Sequence, residues 1–293
     1  MKLSLLEFKK LENFPSASGI EFYDDRVYIV GDDAKDLLVL NKKWNKPGVI
    51  HLFDSEDARI TKQQKADLEA SAVIHINKKP YLLLLGSGST NARNHAVLLN
   101  LLNYKFEMLD FTVFYERLKQ SGIAELNIEG ASAMNGDIVL CNRANNTNPD
   151  NILITTSAEF WKKQADAPIH LIKVGLPITE PVMGISGITY SEDHEMLIFT
   201  TSTEDTINAY DDGSIGKSCL GFIENAPRKI GREKVQLKVN ELIDLPSADE
   251  QFKGYKIESV CIQSEKDHSM KLQLVADNDT GSSYLFKVQV KLS

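Results

Sequence analysis

Five polar residues at recurring positions carry whatever chemistry this chain has: Ser18, Glu69, Glu129, Ser186 and Glu258. Each opens a short run of small or apolar residues, as in Glu129-Gly130-Ala131-Ser132-Ala133, Glu69-Ala70-Ser71-Ala72 and Ser186-Gly187-Ile188. If the five side chains converge, three carboxylates share a confined space, and one must hold a proton or all must share a cation. Three carboxylates, two hydroxyls, nearby carbonyls and water supply the roughly six to eight oxygens that calcium accepts, whereas magnesium demands a tighter octahedron. The expected metal ligands are therefore Ser18, Glu69, Glu129, Ser186 and Glu258, and the expected ion is calcium.

A second set of polar residues follows the next apolar strand of each unit: Asp32 and Asp33, Arg93, Asn142 and Arg143, Glu204 and Asp205, and Asp277, Asn278 and Asp279. Asp, Asn and Gly are also the ordinary residues of turns, so only their shared location groups them. Arg93 and Arg143 are the expected binders of a small anionic ligand, since a guanidinium fork matches phosphate or carboxylate. Asp32 and Asp277 are the candidates for orienting water.

The elements that must position these residues are short β-strands. Each polar opener is followed by a turn and an apolar run, such as Val27 to Val30, Tyr81 to Leu85, Ile138 to Cys141, Met196 to Thr200 and Leu272 to Ala276. The openers lie 51, 60, 57 and 72 residues apart, a repeat length that suits propeller blades with loop insertions. The predicted fold is all-β, a five-bladed β-propeller forming one domain over 1–293, with a β-sandwich as the alternative. The last unit has three strands, and Leu3 to Leu11 is a strand without a blade. Pairing the two closes the ring and leaves no open edge at the termini. A sixth, degenerate blade within 225–257 is the alternative count. An outer strand is expected over 48–53, and helices are expected near 112–121 and over 157–164.

The order Ser, Glu, Glu, Ser, Glu at the blade openings resembles the calcium-activated nucleotidases, or apyrases. The resemblance implies a calcium ion on the tunnel axis, held by Ser18, Glu69, Glu129, Ser186 and Glu258. Small residues after each Glu, as in Glu129-Gly130-Ala131, also resemble the propellers with phytase-like esterase activity. The resemblance covers the repeat skeleton of nearly the whole chain.

Bulk properties narrow the function. A net charge of -8 argues against nucleic acid as a partner, because such a partner needs a basic patch that displaces counterions. No window approaches the roughly 18 apolar residues of a membrane span. The start, Met1 to Lys10, is interrupted by Glu7 and reads as no secretory signal. Cys141, Cys219 and Cys261 sit in apolar surroundings and read as reduced thiols of a cytoplasmic protein. Two functions fit: a metal-binding module whose loops hold a small molecule or a protein, or a calcium-dependent hydrolase of phosphate esters or phosphoanhydrides. The first is preferred, since no nucleophile and base can be mapped.

Overall fold

Val27-Tyr28-Ile29-Val30 and Leu82-Leu83-Leu84-Leu85 are apolar without alternation, the mark of strands covered on both faces. A computed structural model, describing residues 1–292 apart from 58, 205–214, 232–235 and 279–281, shows what covers them. Five sheets are arranged in a ring, as expected from the repeat. The chain begins with β1 (Lys2–Leu11), and blade one follows as β2 (Ala17–Tyr23), β3 (Arg26–Gly31), β4 (Asp36–Asn41) and β5 (Gly48–His51). Blade two is β6 (Leu68–Ile76), β7 (Lys79–Gly86), β8 (His95–Asn100) and β9 (Phe106–Asp110), followed by α1 (Thr112–Gln120).

Blade three starts with β10 (Ile128–Met134), β11 (Asp137–Asn142), β12 (Ile152–Ser157) and β13 (His170–Gly175). Blade four starts with β14 (Met183–Ser191), β15 (Met196–Glu204) and β16 (Ile215–Ile223). The chain then forms α2 (Ala226–Ile230) and β17 (Gln236–Lys238) before β18 (Glu241–Asp244) completes that sheet. After α3 (Leu245–Ala248), blade five is β19 (Lys256–Lys266), β20 (Ser269–Asp277) and β21 (Ser283–Lys291), with β1 as its outer strand.

The described residues of 225–257 thus form no sixth blade. They hold the last strand of blade four and β17, which runs parallel to β13 and extends blade three to five strands. The expected helix at 112–121 is α1. The one expected over 157–164 is a single 3-10 turn, Phe160–Lys163. There β12 runs on through Ser157, and Phe160 is drawn into the core beside Phe111 and Phe114.

The core is divided into five parts, one between each pair of neighbouring blades. Val27 and Ile29 pack towards blade five, and Tyr28 and Val30 towards blade two. Leu82 and Leu84 face blade one, and Leu83 and Leu85 face blade three. Helix α1 lies over the blade two and three junction, burying Phe114, Tyr115 and Leu118, and the Tyr115 hydroxyl donates to the Gly86 carbonyl at 2.7 Å. The innermost strands β2, β6, β10, β14 and β19 touch one another in sequence around a closed circle. Trp44 closes the seam between blades one and five. It is fully buried, its indole N–H donates to Gln273, and the Lys287 ammonium lies 4.2 Å from its ring centroid.

The ring is locked by β1, which pairs with β21 from Lys2↔Lys291 to Leu11↔Ser283. Phe8 stacks on Tyr284 and contacts Phe286, and the Met1 ammonium pairs with Glu241 of blade four at 2.8 Å. Removing residues 1–11 strips the edge of β21 and uncovers this apolar surface, which invites strand pairing between copies. The shortened chain is expected to melt several degrees lower and to elute as aggregates in size-exclusion chromatography. An unaltered monomer with an unaltered melting temperature would show that β1 does not lock the ring.

Candidate functional site

The five blade-opening residues share one backbone feature. Strand pairing skips a residue between Ala17 and Gly19, Leu68 and Ala70, Ile128 and Gly130, Ile185 and Gly187, and Ile257 and Ser259. Ser18, Glu69, Glu129, Ser186 and Glu258 are therefore each the extra residue of a β-bulge, a device that re-aims a side chain and sharpens strand twist. The following residue is small where inner strands press together. A Cβ on Gly187 would lie 2.7 Å from the Cα of Ser259 in the next blade.

Each bulge is preceded by a buried apolar residue and, one position earlier, by the first residue of these pairs: Ser16-Ala17, Asp67-Leu68, Asn127-Ile128, Gly184-Ile185 and Lys256-Ile257. Opposite these positions stand Asp32, Ser87, Arg143, Ser202 and Asp277. Asp32, Arg143 and Asp277 of the expected second layer are thus equivalent positions, completed by Ser87 and Ser202, while Arg93 reaches the mouth from a separate 3-10 turn, Asn91–Arg93. Glu204 ends β15, and Asp205 and Asp279 lie outside the described residues.

The side chains solve the crowding in three ways. The serines act as staples between blades: Ser18 Oγ donates to the Leu68 carbonyl and Ser186 Oγ to the Ile257 carbonyl, each at 2.6 Å. In both cases the acceptor is the residue just before the next blade's glutamate. Two glutamates take a basic partner. Arg143 Nη1 meets Glu129 Oε2 at 2.6 Å, Asn127 donates to Glu129 Oε1, and the same guanidinium reaches Ser202 of blade four at 2.9 Å. Lys256 Nζ lies 3.2 Å from Glu258. Glu69 is the exception, with no hydrogen bond or close ion pair among the described residues.

Glu69 instead faces two more carboxylates. Ligand atoms of Asp32, Asp67 and Glu69 lie within 4.8 Å of one another, the only such acidic, His or Cys trio among the described residues. Glu129 and Glu258 lie outside that trio, so the carboxylate cluster sits at the junction of blades one and two. Lys65 bridges Asp32 and Asp67, lying 2.7 Å from the latter, and Arg93 holds Asp67 at 2.8 Å. The Ser87 hydroxyl also donates to Asp67. Asp32 Oδ1 is buried without a hydrogen-bond partner among the described residues.

Three carboxylates here face two basic side chains, and the imbalance falls on Glu69. Burial, then the charges of Asp67, Asp32 and Glu129, push its carboxyl well above the ordinary value of 4.5, against the pull of Lys65. Burial likewise raises Asp32, with Lys65 opposing and Asp33 and Asp67 adding to the rise. Burial alone would deprotonate Lys65 more readily, but Asp32, Asp67 and Glu69 outweigh it and hold the ammonium charged. Arg93 and Arg143, expected to bind an anion, are both buried in ion pairs with Asp67 and Glu129.

Lys65 and Asp67 are the site residues that the repeat pattern missed. The alternation Lys65-Ala66-Asp67-Leu68-Glu69 was the available signal, because it carries the polar face back past the strand opening. Asp67 adopts a left-handed φ of 54°, a conformation Asp tolerates better than most residues, so the turn brings its carboxylate under Ser87.

Sheet, ring of bulges and charged mouth together define a five-bladed β-propeller with a paired-charge tunnel entrance. The chain belongs to a family of unknown function, DUF6929, whose model matches residues 13–290. No curated protein sequence matches it. Among solved structures it is similar to the glutaminyl cyclase of Myxococcus xanthus, at a TM-score of 0.54 and 10% identity, over 99% of this chain and 97% of that one. A luciferin-regenerating enzyme aligns at a TM-score of 0.47 and 8% identity, over 96% of this chain and 94% of that one. At 10% identity the cyclase likeness shows the shared propeller fold alone.

Two outcomes follow from the charge arrangement. Arg143→Met leaves Glu129 buried without its cation, and breaking such a pair costs about 3–5 kcal/mol. Chemical denaturation should show that loss, with much of it restored in the Glu129→Gln, Arg143→Met double variant; a loss under about 1 kcal/mol would mean the pair is unimportant. Glu69 behaves oppositely. Its folded state holds a proton more tightly than the unfolded chain, so its contribution is fully present below the unfolded-chain value and is lost as pH rises through the raised folded value. In chelator, Glu69→Gln should therefore melt higher than wild type at about pH 8 and converge with it at about pH 4. A lower melting temperature for the variant at the higher pH would contradict the raised carboxyl.

Proposed function

We propose that the protein is a cation-dependent binding module in which calcium occupies the corner formed by Asp32, Asp67 and Glu69. The observation that carries this reading is the incomplete neutralisation of that corner. Glu69 alone among the five blade openers has no close partner among the described residues, and it stands beside the unbonded Asp32 Oδ1. The donors are all oxygens in an irregular array, which suits calcium better than an ion that insists on an octahedron. The ion would share Asp67 Oδ1 with Lys65 and join blade one, through Asp32, to blade two, through Asp67 and Glu69. This moves the expected site from the tunnel axis to one side of the mouth. Ser18, Glu129, Ser186 and Glu258 then serve as the frame around it.

With Arg93 and Arg143 committed to carboxylates, a small anionic ligand at the mouth would be held through the cation itself. The three buried, unpaired cysteines support a reducing setting such as the cytoplasm.

The second reading is the calcium-dependent phosphoester or phosphoanhydride hydrolase implied by the resemblance to the nucleotidases and phytase-like propellers. It is favoured by one observation: the raised carboxyl of Glu69, which keeps a proton at hand for general acid catalysis.

Thermal melts with calcium and with chelator separate these ideas. A ligand at a hundred times its Kd adds about 2.7 kcal/mol, or a rise of about 4–5 °C for a chain of this size. Wild type should show that rise and Glu69→Gln should not; equal shifts, or none, would remove the calcium site. Turnover of ATP, ADP and p-nitrophenyl phosphate then assigns the class. The module predicts no calcium-dependent turnover, whereas turnover abolished by Glu69→Gln would make the protein a hydrolase.

A further inference from the structure

Away from the mouth, the outer rim of the ring has a cleft of about 350 Å³ between blade one and the loop of blade two that carries Tyr104. By register, Arg26, Asn41, Val39, Gly48 and Ile50 lie on one face of blade one, the face turned to blade two. The cleft is open at Gly48, where an added Cβ would meet nothing within 4 Å. Tyr104 forms the far wall. The Arg26 guanidinium lies 5.6 Å from its ring centroid and also donates to its hydroxyl.

Two features of the cleft point to its occupant. Its charged lining residues, Arg26 and Lys46, are both basic, in a chain whose net charge is -8. Its rim is also a sheet edge: β5 ends the sheet of blade one, and Val49 on it is 54% exposed. The same edge of blade three, beyond its fourth strand β13, is covered by β17 of this chain lying in parallel. The fold thus already accepts a strand at this place in one blade, and in blade one the place is lined by an apolar cleft and two cations. We propose that an extended, acidic segment of a partner protein docks here as an added strand on β5. Its backbone would pair with the edge, its apolar side chains would enter beside Val39 and Ile50, and its carboxylates would meet Arg26 and Lys46. Strand addition takes affinity from main-chain hydrogen bonds and specificity from pockets for alternate side chains.

The probe is a fluorescein-labelled Glu-Val-Glu-Val-Glu-Val-Glu-Val peptide, read by fluorescence anisotropy, with the corresponding Lys-Val peptide as control. The acidic peptide should bind, weaken with salt, and protect the amides of residues 48–51 in hydrogen exchange. The Arg26→Glu, Lys46→Glu double variant and Gly48→Leu should each weaken it at least tenfold. Both sets of changes are on the surface, and circular dichroism checks that each variant folds; if one does not, the other still decides. Failure of the acidic peptide to bind at 1 mM, equal binding of the lysine peptide, indifference to the folded variants, or protection elsewhere would overturn the proposal. Displacement by octanoate without amide protection would also overturn it, by assigning the cleft to a small amphipathic acid.

Discussion

Like charges brought together by the backbone must be neutralised by something, and the mouth of this propeller is built around that constraint. Five bulges aim five polar side chains from strands that touch in a closed circle, and the residue after each bulge is small enough for those strands to press together. The chain answers blade by blade. Ser18 and Ser186 carry no charge and bond the next strand's backbone. Glu129 and Glu258 bring a cation from their own blade, Arg143 and Lys256. Only at Glu69 does the supply fall short, because Lys65 and Arg93 pair with its neighbours Asp32 and Asp67. A carboxylate drawn partly out of water beside like charges, without a close counter-charge, holds its proton more tightly. That residual demand is what singles out this corner as the candidate site.

The rest of the fold keeps the five openers in place. Each neighbouring pair of blades buries its own apolar cluster, so no blade can tilt without opening two seams. Close packing of this kind transmits strain instead of absorbing it. The strand β1 and the staple from Ser186 secure blade five on either side, and the cation pairing of Glu129 ties blade three to Ser202 of blade four. The mouth is therefore held from behind by packing and from within by directed hydrogen bonds.

Much of this was legible in the sequence, for a physical reason. A bulge that recurs in every inner strand imposes the same demand five times, a polar residue followed by a small one, and that demand leaves a repeat readable at 18, 69, 129, 186 and 258. The pairing of β1 with β21 was legible because a three-strand unit at one end and an unpaired strand at the other complete each other. The counterions were not legible. Lys65, Arg93 and Arg143 come from a strand approach, a 3-10 turn and the end of a second strand, at no common spacing from their carboxylates. Fivefold reasoning also placed three glutamates on equal terms, whereas the side chains break the symmetry and gather Asp32, Asp67 and Glu69 at one junction. The segment 225–257 was ambiguous because β17 pairs with β13, which is not its neighbour in sequence, and local pattern cannot report a distant partner.

The central claim is that the charge deficit of the mouth resides on Glu69. Its most direct test is a carbon-13 NMR titration of the glutamate side-chain carboxyl carbons, with Glu69 assigned by its loss in Glu69→Gln. In chelator the Glu69 carboxyl should titrate well above 4.5, and calcium should return it towards that ordinary value. A Glu69 signal that titrates at or below 4.5 in chelator would contradict the account.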